Sequence, residues 1–345
     1  MTDSVKHVAV LPGDGIGPEV MRQGLRVLQA VSEKYGFQFT FQEGLIGGAA
    51  IDETGSPLPP ETLRICEHAD AVLLGAVGVP KYDQDPAATI RPEQGLLGIR
   101  KALQLFLNIR PVTIFPAMQE QSVLKPHVLK NVDFVIYREL SSGIYFGEKK
   151  EATDDDPGAS DLLAYTAKEI TRVASKAFEA ARQRRNKLCL VDKANVLASS
   201  RLWRKVIMGM TTSYADVDVD YMFIDNAAMQ LVLNPAQFDV IVTSNMFGDI
   251  LSDLGSAISG SIGVLPSASI GATSALFEPV HGSYPQAAGK DIANPLAMIL
   301  SVRMMLDHFG MFEAATAVGS AVERCVNKGI GTPDMHLEHH CGCSM

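Results

Sequence analysis

In the segment Asn245-Met-Phe-Gly-Asp249-Ile-Leu-Ser-Asp253, two carboxylates stand four residues apart. A helix would set both on one face, where like charges repel unless a cation sits between them. Oxygen ligands of this kind suit a hard divalent ion, Mg2+ or Mn2+; the same spacing also suits two solvated acids on a surface helix. Three arginines make a second set: Arg100 in Gly98-Ile99-Arg100-Lys101, Arg110 in Asn108-Ile109-Arg110-Pro111, and Arg138 after the apolar run Phe134-Val-Ile-Tyr. Pro111 pushes Arg110 toward extended geometry. Arginines at strand ends suit bidentate capture of carboxylates, or they are simply solvated. In Val191-Asp192-Lys193-Ala194-Asn195 a lysine follows a strand directly. Beside carboxylates and a metal it could carry protons; alone it reads as a solvated strand end. Two glycine-punctuated loops, Glu278-Pro-Val-His281-Gly282-Ser283 and Gly289-Lys-Asp-Ile-Ala-Asn294-Pro295, offer backbone amides to a cofactor phosphate or merely turn the chain.

Near the N-terminus, Gly13-Asp14-Gly15-Ile16-Gly17 follows a strand and opens a helix. Its spacing is G-x-G-x-G rather than the dinucleotide fingerprint G-x-G-x-x-G. Pro18 is ordinary chemistry for a first helical turn. A tight, glycine-requiring turn is the reading it supports, and no Walker A motif occurs anywhere in the chain.

The elements that must position these groups alternate between short β-branched runs and longer helical patterns. Strands are expected at 5–11, 69–74, 133–139, 187–191, 216–224 and 239–242. Helices are expected at 18–35, 93–107, 162–184, 226–233, 247–259, 292–309 and 311–328. Such alternation predicts an α/β fold around an internal sheet. The uncharged stretch 254–277 carries several glycines, serines and Pro266, and reads as buried helix, turn and strand rather than a membrane span. The acidic run through Glu151, Asp154, Asp155, Asp156 and Asp161 reads as a solvated loop or arm.

The chain has 345 residues, 47% of them hydrophobic and 20% charged. That length suggests about two domains, and a mean hydropathy of +0.11 excludes disorder. Thirty Lys and Arg against 39 Asp and Glu leave a net charge of −9, which disfavours a nucleic-acid binder. Five cysteines, Cys66, Cys189, Cys325, Cys341 and Cys343, are too sparse and odd in number for a disulfide framework. A reduced, cytoplasmic setting without membrane contact is expected.

Taken together, these segments resemble the isocitrate/isopropylmalate dehydrogenase family of decarboxylating β-hydroxyacid dehydrogenases. The stretches that carry the likeness are 11–19 (LPGDGIGPE), 73–78 (LLGAVG), 91–111, 138–147 (RELSSGIYFG), 191–195 (VDKAN), 225–253, 278–283 (EPVHGS) and the loop to Asn294-Pro295. The resemblance implies a two-domain α/β fold that is not a standard Rossmann fold. One domain would comprise 1–105 plus 260–345 and bind the cofactor, with a central domain at 106–259 carrying the dimer interface and the metal and substrate residues. It implies that Arg100, Arg110 and Arg138 hold the two carboxylates of a small 2-hydroxy dicarboxylic acid. Asp249 and Asp253, with Asp225 of the partner subunit, would bind Mg2+ or Mn2+, and Asp225 would also touch substrate. Tyr145 and the partner subunit's Lys193 would move protons, so a homodimer with shared active sites is implied. NAD would lie along Glu93, Glu278, His281, Gly282, Ser283, Gln286, Gly289 and Asn294.

Within the family, polar residues before Arg100 accompany a third substrate carboxylate. Here Gly95-Leu96-Leu97-Gly98, with Val196 across the dimer, looks like an apolar pocket for an isopropyl group, against which an uncompensated carboxylate would be costly. The implied reaction is NAD-dependent oxidative decarboxylation of 3-isopropylmalate. D-malate or tartrate oxidation by the same machinery is the alternative, and a non-catalytic carboxylate binder a remote one. Two departures stand out. Gln286 occupies the position where NAD users of the family usually carry Asp, so NAD is expected with weakened discrimination against NADP. The tail His336-Leu-Glu-His339-His340-Cys341-Gly-Cys343 could pass for a metal cluster but reads as an ordinary chain end.

Overall fold

The computed structural model describes residues 5–84, 89–337 and 339–340. They form two compact units: the described residues up to 105, 115–122 and those from 259 onward make the first, and residues 106–114 and 123–258 the second. In chain order, the first unit opens with β1 (Lys6–Gly13), α1 (Gly17–Tyr35), β2 (Phe39–Glu43), α2 (Gly47–Thr54), α3 (Pro60–Glu67), β3 (Ala71–Ala76) and α4 (Glu93–Ala102). The second holds β4 (Leu107–Thr113), β5 (Asp133–Glu139), α5 (Ala167–Gln183), β6 (Lys187–Asp192), α6 (Ala198–Met210), β7 (Asp218–Phe223), α7 (Ile224–Leu233), β8 (Val240–Thr243) and α8 (Asn245–Ser259). The chain then returns to the first unit with β9 (Pro266–Ile270), β10 (Ala275–Pro279), α9 (Leu296–His308) and α10 (Phe312–Asn327).

In the first unit the strands run in the order β2-β1-β3-β10-β9, parallel except for the antiparallel pair of β9 and β10. In the second the order is β4-β5-β8-β6-β7, parallel except for the pair of β4 and β5. β3 reads Ala-Val-Leu-Leu-Gly-Ala and is buried at every residue, as a central parallel strand covered on both faces requires. In the second unit, Val112, Phe134, Ile136, Val191, Ile241 and Leu251 belong to one buried cluster that fixes strands against helices.

The glycine turn after β1 does more than reverse the chain. Gly13 and Gly15 have φ of +71° and +57°, and a Cβ there would lie 1.9 Å from the Ala76 carbonyl oxygen and 2.0 Å from that of Ser283. Between them Asp14 is only 4% exposed. Its carboxylate accepts from the backbone amides of Gly48 (2.9 Å), Ala49 (2.8 Å) and Gly78 (2.8 Å). Ile46 cannot cap α2 with a side chain, so Asp14 caps it from a distance.

Several boundaries differ from expectation. The helix expected over 93–107 stops at Ala102, because Gln104 turns to a φ of +52° and 107–113 pairs with β5. The helix expected from residue 162 starts at Ala167, after Thr166 and Glu169 close a capping box. That expected from 292 starts at Leu296: Asn294 precedes a proline, which disfavours helical geometry there. The strand expected at 133–139 forms with those bounds as β5 and contains Arg138. The stretch 254–277 contains the end of α8, β9 and part of β10, two strands rather than one. Elements not expected from the sequence are β2, α2, α3, β4, α6 and β9. Most of the histidine- and cysteine-containing tail lies outside the described residues. Among the described residues no helix is long and apolar enough to cross a membrane.

Cys66 and Cys189 are buried, and burial pushes both thiols from an ordinary 9.0 up to about 12. A raised folded-state pKa contributes stability below the unfolded pKa and loses it as pH rises toward the folded one. The melting temperature should therefore fall from about pH 9 upward, and Cys66→Ala should flatten the fall. A melting temperature unchanged by alkali in the wild-type protein would contradict this.

Candidate active site

β4 and β5 run antiparallel with Asn108 opposite Arg138. Opposed residues share a face of the sheet, as do alternate residues along a strand. Asn108, Arg110 and Arg138 therefore stand on one face, and Arg110 Nε donates to Asn108 Oδ1 at 2.8 Å. On the other side of β5, β8 places Thr243 beside Arg138, and α8 begins two residues later.

Arg138 is 2% exposed. A guanidinium so enclosed costs several kcal/mol unless its donors are met. Asn245, at the start of α8, accepts from Nε at 3.1 Å and from Nη2 at 2.8 Å. One turn along, Asp249 Oδ1 accepts from Nη1 at 2.5 Å. Gly248 makes this possible: a Cβ there would sit 2.6 Å from Arg138 Cγ and 2.7 Å from its Cβ.

Asp249 Oδ2 accepts from the Tyr145 hydroxyl at 2.8 Å, and the Arg138 guanidinium lies 5.7 Å from the Tyr145 ring centroid. Burial, then the Asp249 carboxylate, raises the Tyr145 phenol above its usual range. It stays a proton donor through neutral and moderately alkaline pH. Arg110 Nη1 donates to Ser252 Oγ at 2.5 Å and lies 3.6 Å from Asp249 and 3.7 Å from Asp253. Two arginines, two aspartates and a tyrosine thus converge on one turn of α8. Their hard oxygens fit a divalent cation, and their guanidinium donors fit a carboxylate.

Lys193 and Asp225 form a separate pair. Lys193 follows β6, Asp225 sits in the first turn of α7, and Nζ meets Oδ1 at 2.7 Å. The Lys193 ammonium holds the Asp225 carboxyl below the usual range. Among the described residues no three His, Cys, Asp or Glu side chains gather as a metal group, so within one chain Asp225 does not join Asp249 and Asp253. Val196 is 62% exposed nearby in sequence.

In the first unit, Arg100 Nη2 donates to Glu278 Oε1 at 2.9 Å, with both side chains largely buried. Leu96 is half-buried and Leu97 is exposed on the same helix, α4. Glu93 and Ser283 both border Gly78: a Cβ on Gly78 would lie 3.3 Å from Glu93 Oε1 and from Ser283 Oγ. His281 Nδ1 bonds the Gly282 carbonyl at 2.9 Å, while its Nε2 is buried with no partner. Burial holds this imidazole below its usual pKa, hence neutral. An unmatched buried nitrogen in a loop beside a glycine turn fits a nucleotide base. Gly282 and Gln286 are exposed, and Gly289 N donates to Glu19 Oε1 at 2.5 Å. Asn294 is committed to structure, donating to Asp334 at 3.0 Å and accepting from Leu296 N at 3.0 Å.

Asn108, Asn245, Gly248 and Ser252 were not singled out as site residues by sequence reasoning. The period-two spacing of Asn108 and Arg110 was the available signal for the first, whereas the others act only once α8 lies against β5. Gly248→Ala would ordinarily favour a helix, yet here its methyl must displace Arg138. A loss of about 1–3 kcal/mol in unfolding free energy is expected from denaturant titration. Unchanged or raised stability would show that Arg138 does not need the space.

Known proteins resemble the chain over nearly its whole length. The family described as isocitrate/isopropylmalate dehydrogenase matches residues 7–345. A 3-isopropylmalate dehydrogenase of Aquifex aeolicus is 52% identical over 339 residues, covering 97% of this chain and 92% of the relative. One of Geobacillus kaustophilus is 54% identical over 333 residues, covering 95% and 90%. A crystal structure of isocitrate dehydrogenase from Methylococcus capsulatus, 34% identical, superposes with a TM-score of 0.87 over 98% of this chain and 96% of that one. The chain belongs to the isocitrate/isopropylmalate dehydrogenase family.

Proposed function

We propose that the protein oxidises and decarboxylates (2R,3S)-3-isopropylmalate to 4-methyl-2-oxopentanoate, with NAD and Mg2+ or Mn2+. The observation that carries this reading is the single turn of α8 where Asp249, held by Arg138 and Tyr145, stands beside Asp253 and Arg110. The relatives named for this substrate support the choice. So do Leu96 and Leu97, where a third carboxylate would have no partner.

Arg100, Arg110 and Arg138 hold the two carboxylates of the substrate. Asp249 and Asp253, with Asp225 of a second copy, are the ligands for the cation. A bound cation would polarise the substrate hydroxyl, and NAD would supply the acceptor for the hydride from the hydroxyl-bearing carbon. Lys193 of the second copy, in its neutral amine form, accepts the hydroxyl proton. Carbon dioxide then leaves the β-oxo acid, and its bonding electron pair stays on carbon. Tyr145, kept protonated by its surroundings, donates a proton to that carbon. His281, Gly282, Ser283, Gln286, Gly289, Asn294, Glu278 and Glu93 are assigned to the dinucleotide.

A homodimer with shared sites follows from the same reading. Lys193 and Asp225 belong to a unit that also exposes Val196 (62%), Met229 (51%), Leu233 (60%) and Ile250 (52%). Large apolar side chains exposed after β6 and on α7 and α8 suit a covered face.

NADH absorbance on mixing protein, Mn2+, NAD and 3-isopropylmalate tests the reading. Turnover is expected to exceed that with D-malate or isocitrate by at least about tenfold, and preference for either would replace the assignment. Lys193→Met should abolish turnover while NAD still binds by calorimetry. With NADP, a lower kcat/KM is expected, since no basic residue stands at 284–288, though the gap is narrowed because Gln286 lacks the charge that would repel a 2′-phosphate. A comparable value would assign both cofactors.

A further inference from the structure

The turn that carries Tyr145 is seated on the N-terminal edge of α5, a region with no part in the chemistry above. Glu139, fully buried, accepts from Ser141 N at 2.9 Å, Ser141 Oγ at 2.6 Å and Ser142 N at 2.9 Å, which fixes the start of the turn. The Ala164 carbonyl receives Gly143 N at 3.2 Å. Glu169, already closing the capping box of α5, accepts from Ser142 Oγ at 2.6 Å. Tyr165 completes the seat. Its hydroxyl oxygen accepts from Asn245 N at 3.0 Å and bonds the Ser244 side chain. It also fills the space beside Gly143, where a Cβ would lie 2.1 Å away. Asn245 Nδ2 donates to the Ser142 carbonyl at 3.1 Å. The Tyr165 ring packs edge-on against Trp203, centroids 5.6 Å apart at 80°.

One hydroxyl therefore touches both elements whose separation sets the contact of Tyr145 with Asp249. We propose that Tyr165 is a positioning residue, holding the Tyr145 turn in register with the first turn of α8. The inference rests on the proposed role of Tyr145, and the ring of Tyr165 serves only to place its oxygen. Serine or phenylalanine at 165 could not do so: the first is too short and the second has no oxygen.

The test is Tyr165→Phe, which keeps the ring on Trp203. Emission of this single tryptophan reports whether the fold is kept. Two readouts are paired: steady-state turnover with 3-isopropylmalate, and 19F NMR of 3-fluorotyrosine placed at position 145. The expected result is a fall in kcat of about ten- to a hundredfold, larger than any rise in KM, with a shifted or broadened fluorine resonance. A fluorine resonance identical to that of the unsubstituted protein would overturn the proposal, as would an unchanged kcat. Should Tyr165→Phe fail to fold, Ser142→Ala, which frees the turn from Glu169, must produce the same fluorine change or the proposal fails. If the unsubstituted protein does not turn over 3-isopropylmalate, the functional reading fails alone, and the fluorine spectra still decide whether Tyr165 positions Tyr145.

Discussion

The second unit is organised around a buried positive charge. Arg138 sits within a sheet strand, almost without solvent, where its guanidinium must be satisfied or neutral replacements would be favoured. That requirement dictates its surroundings. Asn245 must open α8, Asp249 must follow one turn later, and Gly248 must have no side chain between them. Asp249 is thereby fixed for a second bond to Tyr145 and brought beside Arg110 and Asp253. The same contacts that make the arginine tolerable assemble the groups assigned to substrate and cation.

The first unit treats a buried negative charge differently. Asp14 is met by three backbone amides rather than by a counter-charge, which makes it a splice between the β1 turn, α2 and the loop after β3. Backbone donors cannot reorient as side chains can. The result is a rigid platform bordered by Glu93 and Ser283. Arg138 is thus satisfied by side chains on a neighbouring helix, whereas Asp14 is satisfied by the backbone itself.

Much of this was visible in the chain itself. The four-residue spacing of Asp249 and Asp253 placed them on one helix face, and Pro111 marked Arg110 as extended. Motif likeness is the source of the roles proposed for Tyr145 and Lys193. What could not be read was pairing across long separations. Nothing local ties Arg100 to Glu278, or Tyr165 to Asn245. The alternation within β4 is a weak signal, since Leu107–Thr113 carries an arginine and a proline within a strand that antiparallel pairing rescues. Helix starts were misplaced where caps decide them: Thr166 and Glu169 formed a readable capping box, and Asn294-Pro295 a readable stop, each outweighed by apolar periodicity.

The pairing of β3 with β10 has a consequence for how the chain is made. Val72 and Leu73 align with Leu276 and Phe277, so an entirely apolar strand near the start waits for one near the end. On the ribosome, most of the second unit emerges in an unbroken stretch and can close on itself. The first unit cannot, and its central strand keeps an open hydrogen-bonding edge until Leu276 and Phe277 have been made. The half of the protein that begins first is therefore the last to become safe from aggregation, and the one with most to gain from a chaperone.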